Sequence, residues 1–321
     1  MPIFAGATLA GFILLVWGAD RFVLGAAATA RNLGVAPVLI GLTIVGFSTS
    51  APEILVSVMS SLQGTPGLAI GNAIGSNIAN IALVLGATAA VMPIDLRSET
   101  LRREMPALLA ITLLSVMLFL DAYLSRVDGF VLLAGLVLLM DGITKLGFRS
   151  TATDPIQAEY EADIPSGVSM PMAVGWLALG LVVLLLGANL LVWGAESIAR
   201  VLGVSDLIIG LTIVAVGTSL PELAVSIVSA LKNEHGLAIG NIVGSNMFNT
   251  LAVVGVAGVI HPSPFETEVL TLHLPVMIGF TLVLFTMAYD FSGRGRINRV
   301  EGFALVIAFA TYHYYIFSRS L

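Results

Sequence analysis

Residues 41 to 53 read Gly-Leu-Thr-Ile-Val-Gly-Phe-Ser-Thr-Ser-Ala-Pro-Glu. The stretch is apolar enough to lie in a membrane, yet it holds a proline, a run of hydroxyls and a carboxylate. It returns at residues 210 to 222 as Gly-Leu-Thr-Ile-Val-Ala-Val-Gly-Thr-Ser-Leu-Pro-Glu, with nine of thirteen positions identical. We interpret the two stretches as copies of one polar, membrane-buried motif.

The composition is that of an integral membrane protein. The 321 residues have a mean hydropathy of +1.00 and are only 11% charged, against about 25% in soluble domains. Several apolar runs exceed the roughly 18 residues that cross a bilayer as helix, and alternating strand patterns are absent. We therefore predict an all-α polytopic protein surrounded by lipid. Nothing in the sequence points to a nucleic acid or an obligatory protein partner.

Ten hydrophobic spans divide into two sets of five. They lie near 3–20 (or 3–30), 36–62, 67–91, 105–121, 128–147, 171–195, 206–231, 236–260, 271–289 and 300–317. The longest connection, 148–170, is polar and acidic. We predict a first five-helix repeat at 1–147, a linker at 148–170 and a second repeat at 171–321.

An offset of 169 residues relates the two halves. Besides the opening motif, residues 67–80 match 236–249 at ten of fourteen positions. An odd number of spans per half gives the halves opposite orientations in the membrane. Inverted repeats are the plan of secondary transporters, whose binding sites lie at the repeat interface near the midplane.

The basic residues predict the orientation. Loops after odd-numbered spans hold eleven of the fourteen, and the other side holds three. By the positive-inside rule, both termini should be extracytoplasmic and the 148–170 linker cytoplasmic, in the cell (inner) membrane. The eleven are Arg21, Arg31, Arg97, Arg102, Arg103, Lys145, Arg149, Lys232, Arg294, Arg296 and Arg299.

Proline should break the helix in each copy of the motif. Pro52 has no amide hydrogen, so the carbonyl of Ser48 loses its helical partner. Pro221 acts in the same way on the carbonyl of Gly217. The breaks expose backbone carbonyls beside hydroxyls and a carboxylate, which are the ligands that hard cations prefer.

The two carboxylates, Glu53 and Glu222, are costly in a membrane. Each costs at least roughly 2.5–3.5 kcal/mol at the bilayer centre, so two at equivalent positions should share a compensating cation. Their combined charge of −2 suits one divalent or two monovalent ions.

Spans 3 and 8 add neutral oxygen ligands at i, i+4 and i+8, on one helix face. A lone membrane Ser, Thr or Asn is usually structural, but here the whole pattern is duplicated at one offset. The GxxxG spacings of span 3 (71 and 75) and span 8 (240 and 244) predict close helix packing. The stripes are Asn72, Ser76 and Asn80, and Asn241, Ser245 and Asn249.

The paired motifs, each followed by Gly-Asn-x-x-Gly-Ser-Asn-x-x-Asn, resemble the alpha repeats of the cation/calcium exchanger superfamily, most closely prokaryotic sodium/calcium exchangers of the ten-helix type. The resemblance implies the exchanger fold of two inverted repeats and alternating-access antiport of sodium against calcium, with spans 1 and 6 sliding across the rest. It implies no cofactor beyond the transported ions. The ligands it implies are Glu53, Glu222, Thr49, Thr218, Ser50, Ser219, Ser76, Ser245, Asn80, Asn249 and the carbonyls of Gly46 and Ala215.

The central asparagines leave the coupling ion open. Relatives often have an acidic residue at one of the positions matching Asn80 and Asn249, whereas this chain has Asn at both. The nearest alternative is a proton-coupled exchanger of calcium or another divalent cation. An intramembrane enzyme using the two glutamates as an acid/base pair and a passive channel are further alternatives, and we expect no enzyme activity.

Overall fold

A computed structural model of the chain describes residues 2–35, 37–64, 66–96, 99–147, 168–202, 215–288 and 295–320. Within these residues every predicted span contains helix, and we number the segments α1 to α10 in chain order. The predicted linker lies almost wholly outside the described residues, as does the stretch 203–214 that precedes α7. Among the described residues, six helices are long and apolar enough to cross a membrane, and a bent pair of helices makes a seventh.

The first half begins with α1, Pro2–Leu33. α2 comprises Pro37–Ile40, Gly41–Val45, Gly46–Thr49 and Ala51–Leu62. α3 comprises Pro66–Ala79, Asn80–Leu85 and Gly86–Val91, and α4 and α5 are Glu99–Leu118 and Arg126–Gly147.

The second half repeats this order with α6, Met170–Val201. α7 comprises Ala215–Thr218 and Leu220–Leu231, and α8 comprises His235–Phe248, Asn249–Val253 and Val254–Ile260. α9 comprises Val269–His273 and Leu274–Ala288, and α10 is Arg299–Ser320.

Helices α3 and α8 form the centre of the molecule. In the most apolar stretch of α8, 89% of the residues are buried, and in α3 72%, against 22% in α1, α6 and α9. Because α3 and α8 carry the Asn/Ser stripes, their polar residues lie in the protein interior. The apolar outer faces of the remaining helices suit contact with lipid.

Two short β-ladders tie the halves together. Ile94–Asp95 (β1) pairs with Arg296–Ile297 (β4), and Tyr123–Leu124 (β2) pairs with Ser263–Pro264 (β3), both antiparallel. Each ladder joins a connection of the first half to one of the second. β1 and β3 are themselves 169 positions apart, so the repeat extends into the connections.

Helices α1 and α6 pack against each other along their length, through glycines at every seventh position. A Cβ added to Gly18 would lie 2.5 Å from the backbone nitrogen of Leu184, and one added to Gly187 would lie 2.5 Å from that of Leu15. The other members of this glycine seam are Gly11 and Gly25 on α1, and Gly180 and Gly194 on α6. Small residues allow such backbone contact between membrane helices.

The GxxxG prediction is confirmed on α8. A Cβ on Gly244 would collide with the carbonyl oxygen of Leu42, and Gly41 is similarly close to Leu237 and Gly240. The N-terminal half of α2 therefore lies directly on α8. The equivalent prediction for α3 concerns its packing against residues 210–214, the repeat equivalents of 41–45. Those residues lie outside the described part of the chain.

The position of Arg21 corrects one prediction. We expected it in the loop after span 1, but it lies inside α1. Its guanidinium lies over the rings of Trp17 and Trp176, 5.7 Å and 5.0 Å from their centroids. It also approaches Asp20 at 3.5 Å. These contacts let the charge remain within a continuous helix.

Candidate functional site

The predicted helix break occurs in both copies of the motif. The halves of α2 meet at a bend of 48°, and the intervening Ser50 has φ −80° and ψ 2°. Ser219 interrupts α7 in the same way, with φ −89° and ψ 4°. Each proline falls at the start of the second half-helix, where its missing N–H costs nothing.

The breaks place both glutamates in the first turn of a half-helix. Glu53 lies in the first turn of Ala51–Leu62 and Glu222 in the first turn of Leu220–Leu231. The positive end of a helix dipole stabilises a carboxylate there. Glu222 also lies close enough to Glu53 for their charges to interact. The two carboxylates therefore converge, as the sequence predicts.

A π-helical turn begins at each of the central asparagines. It starts at Asn80 in α3 and at Asn249 in α8. Such turns are rare and occur frequently at functional sites. The sequence carries no signal from which we predicted them.

The site consists of buried oxygen atoms. Glu53 and Glu222 are each 1% exposed, and Asn80 and Asn249 are fully buried. Within the described part of the chain, many of their polar atoms have no hydrogen-bond partner, although buried polar groups normally have one. The unpartnered oxygens are Oε2 of Glu53, both carboxylate oxygens of Glu222, the hydroxyls of Ser50 and Ser219, and Oδ1 of Asn80 and Asn249.

This donor set fits a hard cation. Two carboxylates supply charge, and hydroxyl and amide oxygens complete coordination without adding more. Among the described residues, no three or more His, Asp or Glu side chains are grouped so that they could hold a metal ion together. The arrangement therefore differs from a His- or carboxylate-rich site for a tightly held transition metal.

One flank of the site is closed by a hydrogen-bond network. Thr49 donates to Oδ1 of Asn241 at 3.0 Å, and its hydroxyl lies 3.2 Å from that of Ser245. Nδ2 of Asn241 donates to Ser226 at 2.9 Å and to the carbonyl of Glu222 at 3.2 Å. The network joins α2, α7 and α8 and fixes the backbone of one glutamate.

On this flank, two of the predicted cation ligands lie next to each other: the carbonyl of Gly46 and the hydroxyl of Ser245. Ser245 donates to that carbonyl at 3.4 Å, and a Cβ on Gly46 would lie 3.0 Å from the nitrogen of Ser245. The second flank is arranged differently, because Ser57, the repeat equivalent of Ser226, donates to the carbonyl of Val253 at 2.6 Å. The two halves of the site are therefore not in the same conformation.

The second flank opens into a cleft of about 390 Å³. Its walls come from the C-terminal half of α2, the middle of α6 and the break of α7. The lining includes Pro52, Val56, Asn189, Val192 and Thr218. Because Pro52 and Thr218 belong to the repeated motifs, the cleft lies beside the candidate site.

The structure also locates the remaining predicted ligands. Ser76 is buried on α3, and Ala215 begins the first half-helix of α7, which places its backbone at the equivalent of Gly46. No measured contact tests the ion-binding role of any of these residues, so those roles remain predictions.

Sequence reasoning missed one member of the network. Ser226 was not among the predicted site residues, although its hydroxyl bonds to Asn241. A signal was present, because a serine follows each glutamate by four residues, Ser57 after Glu53 and Ser226 after Glu222. That spacing places the pair on one helix face.

Comparison with known proteins decides the family. The sodium/calcium exchanger protein family matches residues 3–140 and 172–318. This chain belongs to the sodium/calcium exchanger family. Each matched segment covers one five-helix half, so the family assignment and the internal duplication agree.

Members of the exchanger family resemble this chain over nearly its whole length. The chain is 48% identical to the putative antiporter CaxA of Alkalimonas amylolytica, over 97% of each chain. It is 32% identical to the sodium/calcium exchanger MaX1 of Methanosarcina acetivorans, over 96% of this chain and 97% of the relative.

A solved exchanger has the same fold. The sodium/calcium exchanger from Methanococcus jannaschii superimposes with a TM-score of 0.82 at 33% identity, over 97% of this chain and 98% of that one. The ten-helix, two-repeat exchanger fold predicted from the sequence is thereby confirmed.

Proposed function

We propose that this member of the exchanger family is an antiporter that exchanges sodium for calcium, with the ions bound between Glu53 and Glu222. The observation that carries the proposal is the cluster of buried, unpartnered oxygens around two carboxylates in broken helices. Relatives named as sodium/calcium exchangers support the same pair of ions.

The charge of the site supports exchange of these ions. Two buried carboxylates without a cation are costly at membrane depth, and either one calcium or two sodium ions neutralise them. Asn80 and Asn249 supply oxygen without charge, so one pair of carboxylates serves both ions in turn. Competition for this pair is the proposed basis of coupling.

Alternating access is the proposed mechanism, and the asymmetry of the structure supports it. A cleft reaches one flank of the site, whereas the Thr49–Asn241 network and the packing of α2 on α8 close the other. With both termini extracytoplasmic, as the basic residues predict, the open cleft faces outward. The 148–170 linker then lies on the cytoplasmic side of the cell membrane.

Calcium-45 uptake into proteoliposomes tests the proposal. An outwardly directed sodium gradient should drive uptake, and Glu53→Gln or Glu222→Gln should abolish it. The matched control is Glu301→Gln at the start of α10, where the carboxylate accepts a hydrogen bond from the backbone of Asn298 at 2.7 Å. That variant should transport normally.

Other gradients separate the alternatives. Uptake driven only by a pH gradient would select a proton-coupled exchanger, and uptake without any gradient coupling would indicate a channel. Absence of calcium movement under every gradient, with correctly folded protein, would refute calcium antiport.

A further inference from the structure

An ion pair lies at the end of the molecule opposite the cleft. Nζ of Lys232, at the end of α7, lies 2.8 Å from the carboxylate of Asp20 on α1 and donates to the carbonyl of Asp20 at 3.1 Å. Arg21 approaches the same carboxylate at 3.5 Å. The pair links the α1–α6 unit, held by its glycine seam, to the helix that carries Glu222.

The repeat relates this ion pair to the open cleft. Asp20 is equivalent to Asn189, which lines the cleft, and Lys232 is equivalent to the exposed Gln63 at the end of α2. The open end therefore has two neutral amides where the closed end has opposite charges. In an inverted repeat, the residues that line one entrance are the equivalents of those that line the other.

The burial of equivalent valines shows which end is shut. Val56 lines the cleft and is half-buried, whereas its equivalent, Val225, is 0% exposed. Val192 likewise lines the cleft and is half-buried, and its equivalent, Val23, is 1% exposed. A second entrance, equivalent to the cleft, is thus closed beneath the Asp20–Lys232 pair.

We propose that Asp20 and Lys232 form a charged gate over this second entrance. This proposal rests on the alternating access proposed above, and it names the residues that control one of the two entrances. While the pair is formed, the ammonium of Lys232 neutralises Asp20 and α1 stays docked on α7. When the pair separates, α1 leaves α7 and the carboxylate of Asp20 lines the opened path, where it attracts the exchanged cations.

The gate operates at one end of the molecule only. The equivalents of Arg21, Trp17 and Trp176 are Leu190, Leu186 and Ala7, so the cation–π contacts have no counterpart at the other end. Loss of the ion pair should therefore shift the protein from the conformation with the cleft open toward the one with the second entrance open.

Cysteine reporters measure this shift directly, because the chain has no cysteine of its own. Val225→Cys reports on the second entrance, and Val56→Cys is the equivalent reporter in the cleft. The measured rate is that at which a small charged methanethiosulfonate reagent converts each cysteine to a mixed disulfide, with release of methanesulfinate. It is measured on the full-length protein in nanodiscs, which leave both faces accessible.

In each reporter background, Asp20→Asn and Lys232→Gln remove the ion pair. Modification of the cysteine at position 225 should accelerate roughly threefold to fivefold, the size expected for a partly exposed ion pair. Modification of the cysteine at position 56 should slow. The charge exchange Asp20→Lys with Lys232→Asp should restore the original rates. Lys145→Gln, which breaks the exposed Asp141–Lys145 pair of 2.7 Å on α5, is the matched control and should change neither rate.

Unchanged rates at position 225 would overturn the gate. A parallel rise at both positions would also overturn it, because it would indicate general loosening of the fold. The readout needs no transport, so it fails or succeeds independently of the calcium-45 result that tests the proposed function.

Discussion

The glycine seam between α1 and α6 predicts that one methyl group will destabilise the protein. In Gly18→Ala the new Cβ would lie 2.5 Å from a backbone nitrogen, which cannot rotate away as a side chain would. Overpacking of this kind costs about 1–3 kcal/mol. Replacing glycine in a helix recovers up to about 1 kcal/mol, so we expect a net loss of about 1–2 kcal/mol.

Thermal unfolding of the purified protein in detergent, followed by the loss of monodisperse protein, measures this loss. At about 2–4 °C per kcal/mol, Gly18→Ala should lower the Tm by roughly 2–8 °C. Gly6→Ala on the same helix is the control, because no described atom lies within 4 Å of its added Cβ. Its Tm should be unchanged or higher. Equal values for the two variants would refute the interpretation that backbone contact holds the seam together.

Three further predictions concern the polar residues of α3 and α8. Asn241→Leu removes the amide that joins two hydroxyls and the carbonyl of a glutamate. At about 1 kcal/mol per bond, the KM for calcium in the uptake assay should rise tenfold or more. An unchanged KM would contradict a role for the network. Asn249→Asp places a third carboxylate in the site, so calcium uptake should depend more steeply on pH than in the parent; identical pH profiles would exclude exchange of a proton there. Asn77→Leu breaks a buried hydrogen bond of 2.9 Å to Thr250 and should lower the Tm. By contrast, Asn246→Leu removes an amide without a partner among the described residues, so its Tm should be unchanged or higher.

The number of spans and the convergence of the two repeated motifs could be predicted because both follow from local chemistry repeated at one offset. Pro52 cannot donate a hydrogen bond, so the position of the break followed from the sequence, and Ser50 lies in that break. The glutamates are too costly in lipid to have no partner, and they lie buried where the breaks converge.

Other features depend on tertiary contacts. The motif of α2 is almost the same as that of α7, so the sequence could not show which flank would be closed. The guanidinium of Arg21 lies over the ring of Trp176 on α6, a helix distant in sequence, and no local pattern indicates that contact. The sequence also carried no signal for the π-helical turns that begin at Asn80 and Asn249.

The glycine seam also has a consequence for the order of assembly during synthesis. The glycines of α1 precede their counterparts on α6 by 169 residues, which corresponds to roughly 10–30 s of translation. Throughout that interval the bare backbone surface of α1 faces lipid, or helices of its own half. The first half is therefore inserted before α6, the helix on which the glycines of α1 pack. It reaches its final packing only after the second half enters the membrane in the opposite orientation.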